Sequence, residues 1–300
     1  MQIEEKCMIK EYLKTRKEIV DRFIKEYFSL RSPSTTLHDA MTYSLFAGGK
    51  RLRPILTLTS NEACGGEPEK ILHYAGAIEL IHTYSLIHDD LPSMDDDDLR
   101  RGKPSNHKVF GEAMAILAGD ALLTEAFTML SCCQSNGISS ASSLRAIYEI
   151  SHAAGPHGMV AGQAEDILAE ESEPNFDTLT FIHKHKTGAL ITTSVRVGAI
   201  LADADNSDIE SLTEYGNNIG IAFQIMDDIL DIEGNTAELG KKTGSDEKKK
   251  KLTYPALFGV EQSRKKAYTH IENAIEAISH FSEKAEPLRA IARYIVERNH

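Results

Sequence analysis

The sequence predicts an all-α fold, and three observations point there. Apolar residues recur at alternating steps of three and four, as in Ile209, Leu212, Gly216, Ile219, Phe223, Met226 and Leu230, the spacing of one face of a helix. Sustained polar/apolar alternation, the mark of a half-buried strand, is absent. Glycine and proline stand where helices should start and stop.

Taken in order, a helix opens near Ser34 or Thr35 and closes at Gly48-Gly49. Pro54 suits the first turn of the next, which Gly65-Gly66 ends. Pro68 opens a long helix that Leu91-Pro92 ends or kinks. Further helices are expected at 111–133, 140–154, 157–170, 177–203 and 207–232, with Gly234 closing the last and shorter helices beyond. The segment Glu233 to Leu252 is rich in glycine and charge, including Lys248 to Lys251, and reads as a solvated loop. No Pro/Ser-rich linker divides the chain, so residues 1–300 are expected to form a single domain.

Composition narrows the function. At 41% hydrophobic, the 300 residues supply ample core. A net charge of -12 argues against a nucleic-acid partner and gives no help in holding an anion. Any phosphate site must therefore be built locally from clustered Lys and Arg. Cys7, Cys64, Cys132 and Cys133 show no Cys-x-x-Cys spacing, which suits a reduced, cytoplasmic protein. The first residues are too acidic for a signal peptide and lack its apolar core. No membrane span is expected: the best apolar stretch, Gly188 to Ala202, contains Arg196.

Two aspartate clusters carry the chemistry. Asp89-Asp90 with Asp95 to Asp98 ends one apolar helical run, and Asp227-Asp228 with Asp231 ends another. A helix C-terminus carries partial negative charge, so carboxylates there are disfavoured by about 0.3–1 kcal/mol each. Divalent cations would remove that penalty, and Mg2+ takes hard oxygen ligands together with substrate phosphates. A solvated acidic surface suits Asp96 to Asp98 taken alone. It suits Asp227 and Asp231 poorly, set among Phe223, Met226, Ile229 and Leu230.

The cations are grouped as an anion site requires. Gly48-Gly49-Lys50-Arg51-Leu52-Arg53 precedes a helix N-terminus, where backbone N–H groups and the dipole favour an anion. It is not a Walker A loop, since Arg51 stands where Ser or Thr should follow the lysine. Arg100-Arg101 sets two guanidinium forks beside the first aspartates. Lys186-Thr187 lies within a long helix after His183 and His185, whose spacing lacks the further ligands of a zinc site. His82 stands seven residues before Asp89 and shares its helix face; the residues alone leave open a satisfied interior histidine or an anion ligand.

Asp89-Asp90-x4-Asp95 with Arg100-Arg101, Gly48-Gly49-Lys50-x-x-Arg53, Lys186-Thr187-Gly188 and Phe223-Gln224-x-x-Asp227-Asp228-x-x-Asp231 resemble the trans-prenyl diphosphate synthases, with the closest look to bacterial short-chain farnesyl diphosphate synthases. The likeness runs from about Thr35 to the C-terminus. It implies a helical bundle around a deep central cavity, usually a homodimer, using Mg2+. It implies that Asp89, Asp95 and Asp227 hold an allylic diphosphate through the metal, with Asp90, Asp228 and Asp231 in support. Arg100, Lys186 and Lys241 would contact that diphosphate, and Lys251 matches the family's late lysine. Isopentenyl diphosphate would be held by Lys50, Arg53, His82 and Arg101, with Thr187 and Gln224 beside the allylic carbon. Tyr84 and Ser85 stand where the family sets chain length, and the aromatic Tyr84 resembles the farnesyl pattern; packing in the core is its other reading. The C-terminal Glu297-Arg298-Asn299-His300 departs from the family's basic tail. A geranylgeranyl diphosphate synthase is the alternative, followed by a terpene cyclase, a metal-dependent phosphohydrolase and a non-catalytic partner subunit.

Overall fold

The structure is a computed structural model that describes residues 3–29, 35–131, 137–170, 173, 175–233 and 251–297. Ser34, Cys132, Cys133, Gly234, Lys241, Lys248 to Lys250 and Arg298 lie outside the described residues. The fold is all-α, as expected. Helix α1 spans Ile3–Ser29, α2 Thr36–Leu45, α3 Leu52–Ala63 and α4 Leu72–Asp89, the last preceded by a 3-10 turn at Pro68–Ile71. Next come α5 (Asn106–Phe110), α6 (Glu112–Ser131), α7 (Ser140–Ala154), α8 (Met159–Ala169) and α9 (Phe176–Ile182). After these come α10 (Ala189–Leu201), α11 (Asn206–Glu233), α12 (Tyr254–Phe258), α13 (Val260–Ala277) and α14 (Glu286–Glu297).

Side-chain caps set several helix starts. Thr35 accepts from the His38 N–H before α2, Asn175 from that of Thr178 before α9, and Thr253 from that of Ala256 before α12. Each replaces a partner that the first turn lacks. The core forms where α4 lies on α6, α11 on α13, and α10 on α3, α7 and α11. Most of α10 is buried, including Leu190, Val195 and Val197.

Three elements depart from the sequence expectation. Leu99–Arg100 and Lys103–Pro104 pair as a two-stranded antiparallel hairpin. Its turn places Arg101 at φ 54° and Gly102 at φ 75°, positive at both central residues as a type I′ turn requires. The helix expected at 177–203 is divided by a π-helical turn, His183–Gly188, a feature that often marks functional sites. Finally, α6 rather than the Gly188 to Ala202 stretch is the one helix among the described residues long and apolar enough to cross a membrane. Counting only uninterrupted apolar residues passed over it because Asp120 and Glu125 interrupt it. One face of α6, with Ala118, Leu122 and Met129, is buried, while Ile116 is 44% and Leu117 51% exposed.

Candidate active site

The long α4 delivers the first aspartates at its C-terminal end. Asp89 is its last residue, Asp90 caps it, and the chain then folds back so that the Asp95 N–H donates to the Asp89 carbonyl at 2.8 Å. Asp89 and Asp95 are thereby held together. Burial raises the Asp89 pKa; Lys186 partly opposes this and the Asp95 charge adds to it. Asp90 is pushed up to about 6 by burial, partly offset by Arg100. Carboxylates crowded in this way favour a nearby cation.

Three cations already stand over them. The Arg100 Nε donates to Asp90 Oδ1 at 2.9 Å, its second nitrogen reaches the same oxygen, and Asp97 Oδ2 lies 3.4 Å away. Lys186 Nζ donates to Asp166 Oδ2 at 2.6 Å and lies 3.8 Å from Asp89 Oδ2. Lys251 Nζ donates to Asp95 Oδ1 at 2.8 Å and lies 3.9 Å from Asp166. Asp166 was missed by sequence reasoning, although it sits between both lysines. It lies one turn after Gly162, and a Cβ on Gly162 would collide with the Lys186 backbone nitrogen. That close approach brings α8 against the π turn. Beside Glu165 in the sequence, Asp166 carried no signal that set it apart.

The π turn also reaches the second aspartate motif. Thr187 Oγ1 donates to Gln224 Oε1 at 2.8 Å, and Gln224 Nε2 donates to Asp228 Oδ1 at 3.0 Å. Asp228 Oδ2 accepts from the Tyr254 N–H at 3.0 Å and lies 3.5 Å from His183 Nε2. Asp228 and Asp231 are buried. Asp227 is half-buried, and its charge reaches Arg53. Adjacent residues Lys186 and Thr187 thus join the two aspartate motifs.

The remaining cations gather behind them. Arg101 donates to the Gly48 carbonyl, and its guanidinium fills the place a Gly49 side chain would take, with a Cβ there 2.6 Å from Arg101 Cζ. Gly49 is at φ 115°, so glycine serves both the turn and the contact. Arg53 is drawn down to about 10 by burial, which Glu79 and Asp227 offset in part. Its Nε has no hydrogen-bond partner among the described residues, an unmet donor that suits an anion. His82 is held well below its ordinary pKa by burial and then by Arg53, Arg101, Arg51 and Arg100. Arg51 has a different task. At φ 54°, it donates to Asp21 Oδ1 at 2.8 Å, Glu79 Oε1 at 2.7 Å and the Leu45 carbonyl at 2.6 Å, pinning α1, α2 and α4 to the start of α3.

Along α4, Tyr84 is buried with its ring edge-on to His88 at 5.7 Å, and Ser85 Oγ donates to the His82 carbonyl at 2.9 Å. His88 turns toward α6, its Nε2 3.0 Å from the Ile116 carbonyl.

Asp89, Asp95 and Asp227 present hard oxygen donors that fit Mg2+, a metal commonly held by one or two carboxylates plus substrate phosphates. Among the described residues, no three His, Cys, Asp or Glu side chains converge on one point.

Residues 34–294 match the family model for polyprenyl synthetase. The chain is 46% identical over 292 residues to the farnesyl diphosphate synthase of Geobacillus stearothermophilus, covering 97% of this chain and 98% of that protein. It is 48% identical over 289 residues to the geranylgeranyl diphosphate synthase of Cyanophora paradoxa, covering 96% of each. The crystal structure of an FPP/GFPP synthase from Zymomonas mobilis superposes with a TM-score of 0.83 at 38% identity, covering 97% of this chain and 99% of that one.

Proposed function

The chain belongs to the polyprenyl synthetase family and is a prenyltransferase, and from that premise we propose that it condenses isopentenyl diphosphate with dimethylallyl and geranyl diphosphate to give (2E,6E)-farnesyl diphosphate. The observation that carries this is the bridge from Asp89 through Lys186-Thr187 and Gln224 to Asp228. It links the two carboxylate groups and their lysines in one chain of contacts.

Asp89, Asp95 and Asp227 would hold Mg2+, with Asp90, Asp228 and Asp231 fixing them from behind. Bound there, the metal supplies charge neutralisation to a departing diphosphate. Arg100, Lys186 and Lys251 add fixed positive charge where negative charge develops as the allylic C–O bond ionises; Lys241, in the same expected role, lies outside the described residues. Thr187 and Gln224 present their polar atoms beside the allylic carbon. Lys50, Arg53, His82 and Arg101 hold the diphosphate of isopentenyl diphosphate, whose double bond attacks the carbocation. The proton lost from the adduct passes to the released pyrophosphate. Apolar walls keep water from quenching the cation.

Tyr84, buried five residues before Asp89, would close the space below the aspartates, which supports a C15 product over C20, although relatives bear both names. Residues 1–300 act as one domain. The exposed Ile116 and Leu117 on α6 support a homodimer joined along that helix, and the cysteine pattern supports a cytoplasmic protein. The test is Asp89→Ala, assayed for magnesium-dependent condensation. Turnover is expected to vanish, and substantial activity without Asp89 would sink the metal-cage assignment.

A further inference from the structure

A cavity of about 250 Å3 is lined by Gly49 and Lys50 together with residues of α1, α11 and α14. One wall is cationic, with Lys10, Lys14 and Lys17 of α1 beside Lys50; the other is apolar, with Phe223 and Tyr294. The three α1 lysines follow at i, i+4 and i+7 and so share one helix face. Their position is fixed rather than incidental. Lys17 pairs with Asp21, and Asp21 accepts from Arg51 Nε at 2.8 Å, so α1 is tied to the residue next to Lys50. The cavity borders the cation cluster, since Gly49 lines it and abuts the Arg101 guanidinium. Phe223 precedes Gln224, which bonds Thr187.

A cationic rim over an apolar wall fits a prenyl diphosphate, an anionic head on a short apolar tail. On a chain of net charge -12, such an anion is repelled by most of the surface and drawn to this patch. We propose that Lys10 and Lys14 form an outer capture site for isopentenyl diphosphate, which takes up the diphosphate at the rim and delivers it to Lys50, Arg53 and Arg101. This rests on the assignment of those three residues to the isopentenyl substrate.

The test compares the wild type with Lys10→Ala/Lys14→Ala and Lys10→Arg/Lys14→Arg in steady-state condensation at several ionic strengths. The alanine pair is expected to raise the KM for isopentenyl diphosphate about 3- to 10-fold and to flatten the salt dependence of kcat/KM, as loss of rim charges does. The KM for geranyl diphosphate should hold, and the arginine pair should restore the wild-type values. An unchanged isopentenyl KM, or an equal rise for both substrates, would overturn the capture site. A change confined to inhibition by added product would also overturn it and assign the cavity to the released prenyl diphosphate. A wild type that condenses nothing would instead refute the underlying function before any variant is made.

Discussion

Lys186 and Lys251 each face two carboxylates, and Asp166 is the one they share. The aspartate motifs and the cation pairs were legible in the sequence because carboxylates at the ends of apolar helical runs have no bland explanation. Asp166 was not, because an acid beside Glu165 in an amphipathic helix reads as a solvated residue until Gly162 lets α8 touch the π turn. The histidines give this scale its prediction. His82 stays neutral in the fold well below the ordinary value of 6.5, and burial with a lesser contribution from Lys186 pushes His183 down to about 3. The unfolded chain takes up these protons as pH falls through 6.5 while the folded chain does not, so stability drops on acidification. The expected loss begins as pH falls through about 6.5 and for His183 continues toward pH 3, at up to about 1.4 kcal/mol per pH unit for that group, and protonation of Asp90, whose folded-state pKa is about 6, offsets part of it. Chemical denaturation across that range checks it, and His82→Asn should flatten the slope; a stability that holds or rises on acidification would contradict it.

Among the elements, most helices and their glycine and proline stops were legible, because periodicity and punctuation agree over ten or more residues. The hairpin was not, since strands of two residues each are too short to show an alternating pattern. Yet it separates two adjacent arginines, sending Arg100 to Asp90 and Arg101 to Gly48. The π turn was hidden for another reason: apolar residues continue on both sides of it, so 177–203 reads as one helix. Within it, consecutive Lys186 and Thr187 serve different aspartate motifs. Gly162→Ala would press a methyl into its backbone. That substitution is expected to cost about 1–3 kcal/mol of stability, as overpacking does, and to lower kcat by displacing Lys186. Thermal melting and steady-state assays check both, and a variant with wild-type melting and kcat would show that the contact does not matter.

Over the whole molecule, the two aspartate motifs come from α4 and α11, and α10 packs between α3, α7 and α11 to hold them in place. That arrangement could not be read from the sequence alone, because periodicity gives the apolar face of a helix but not its neighbour. The same limit hid the outer face of α6, where no pattern separates a core stripe from an interface. Leu117→Glu is expected to convert a dimer into monomers in analytical ultracentrifugation; a wild type that is itself monomeric would refute the α6 interface. Product length is the property that tests the proposed floor at Tyr84 together with the proposed metal site. The most direct measurement is incubation of the wild type with magnesium, dimethylallyl diphosphate and isopentenyl diphosphate, with dephosphorylated products sized by mass spectrometry beside those of Tyr84→Ala. The expected result is a fifteen-carbon product from the wild type and longer chains from the variant. A twenty-carbon product from the wild type, or an unchanged fifteen-carbon product from Tyr84→Ala, would contradict the assignment of Tyr84 as the floor.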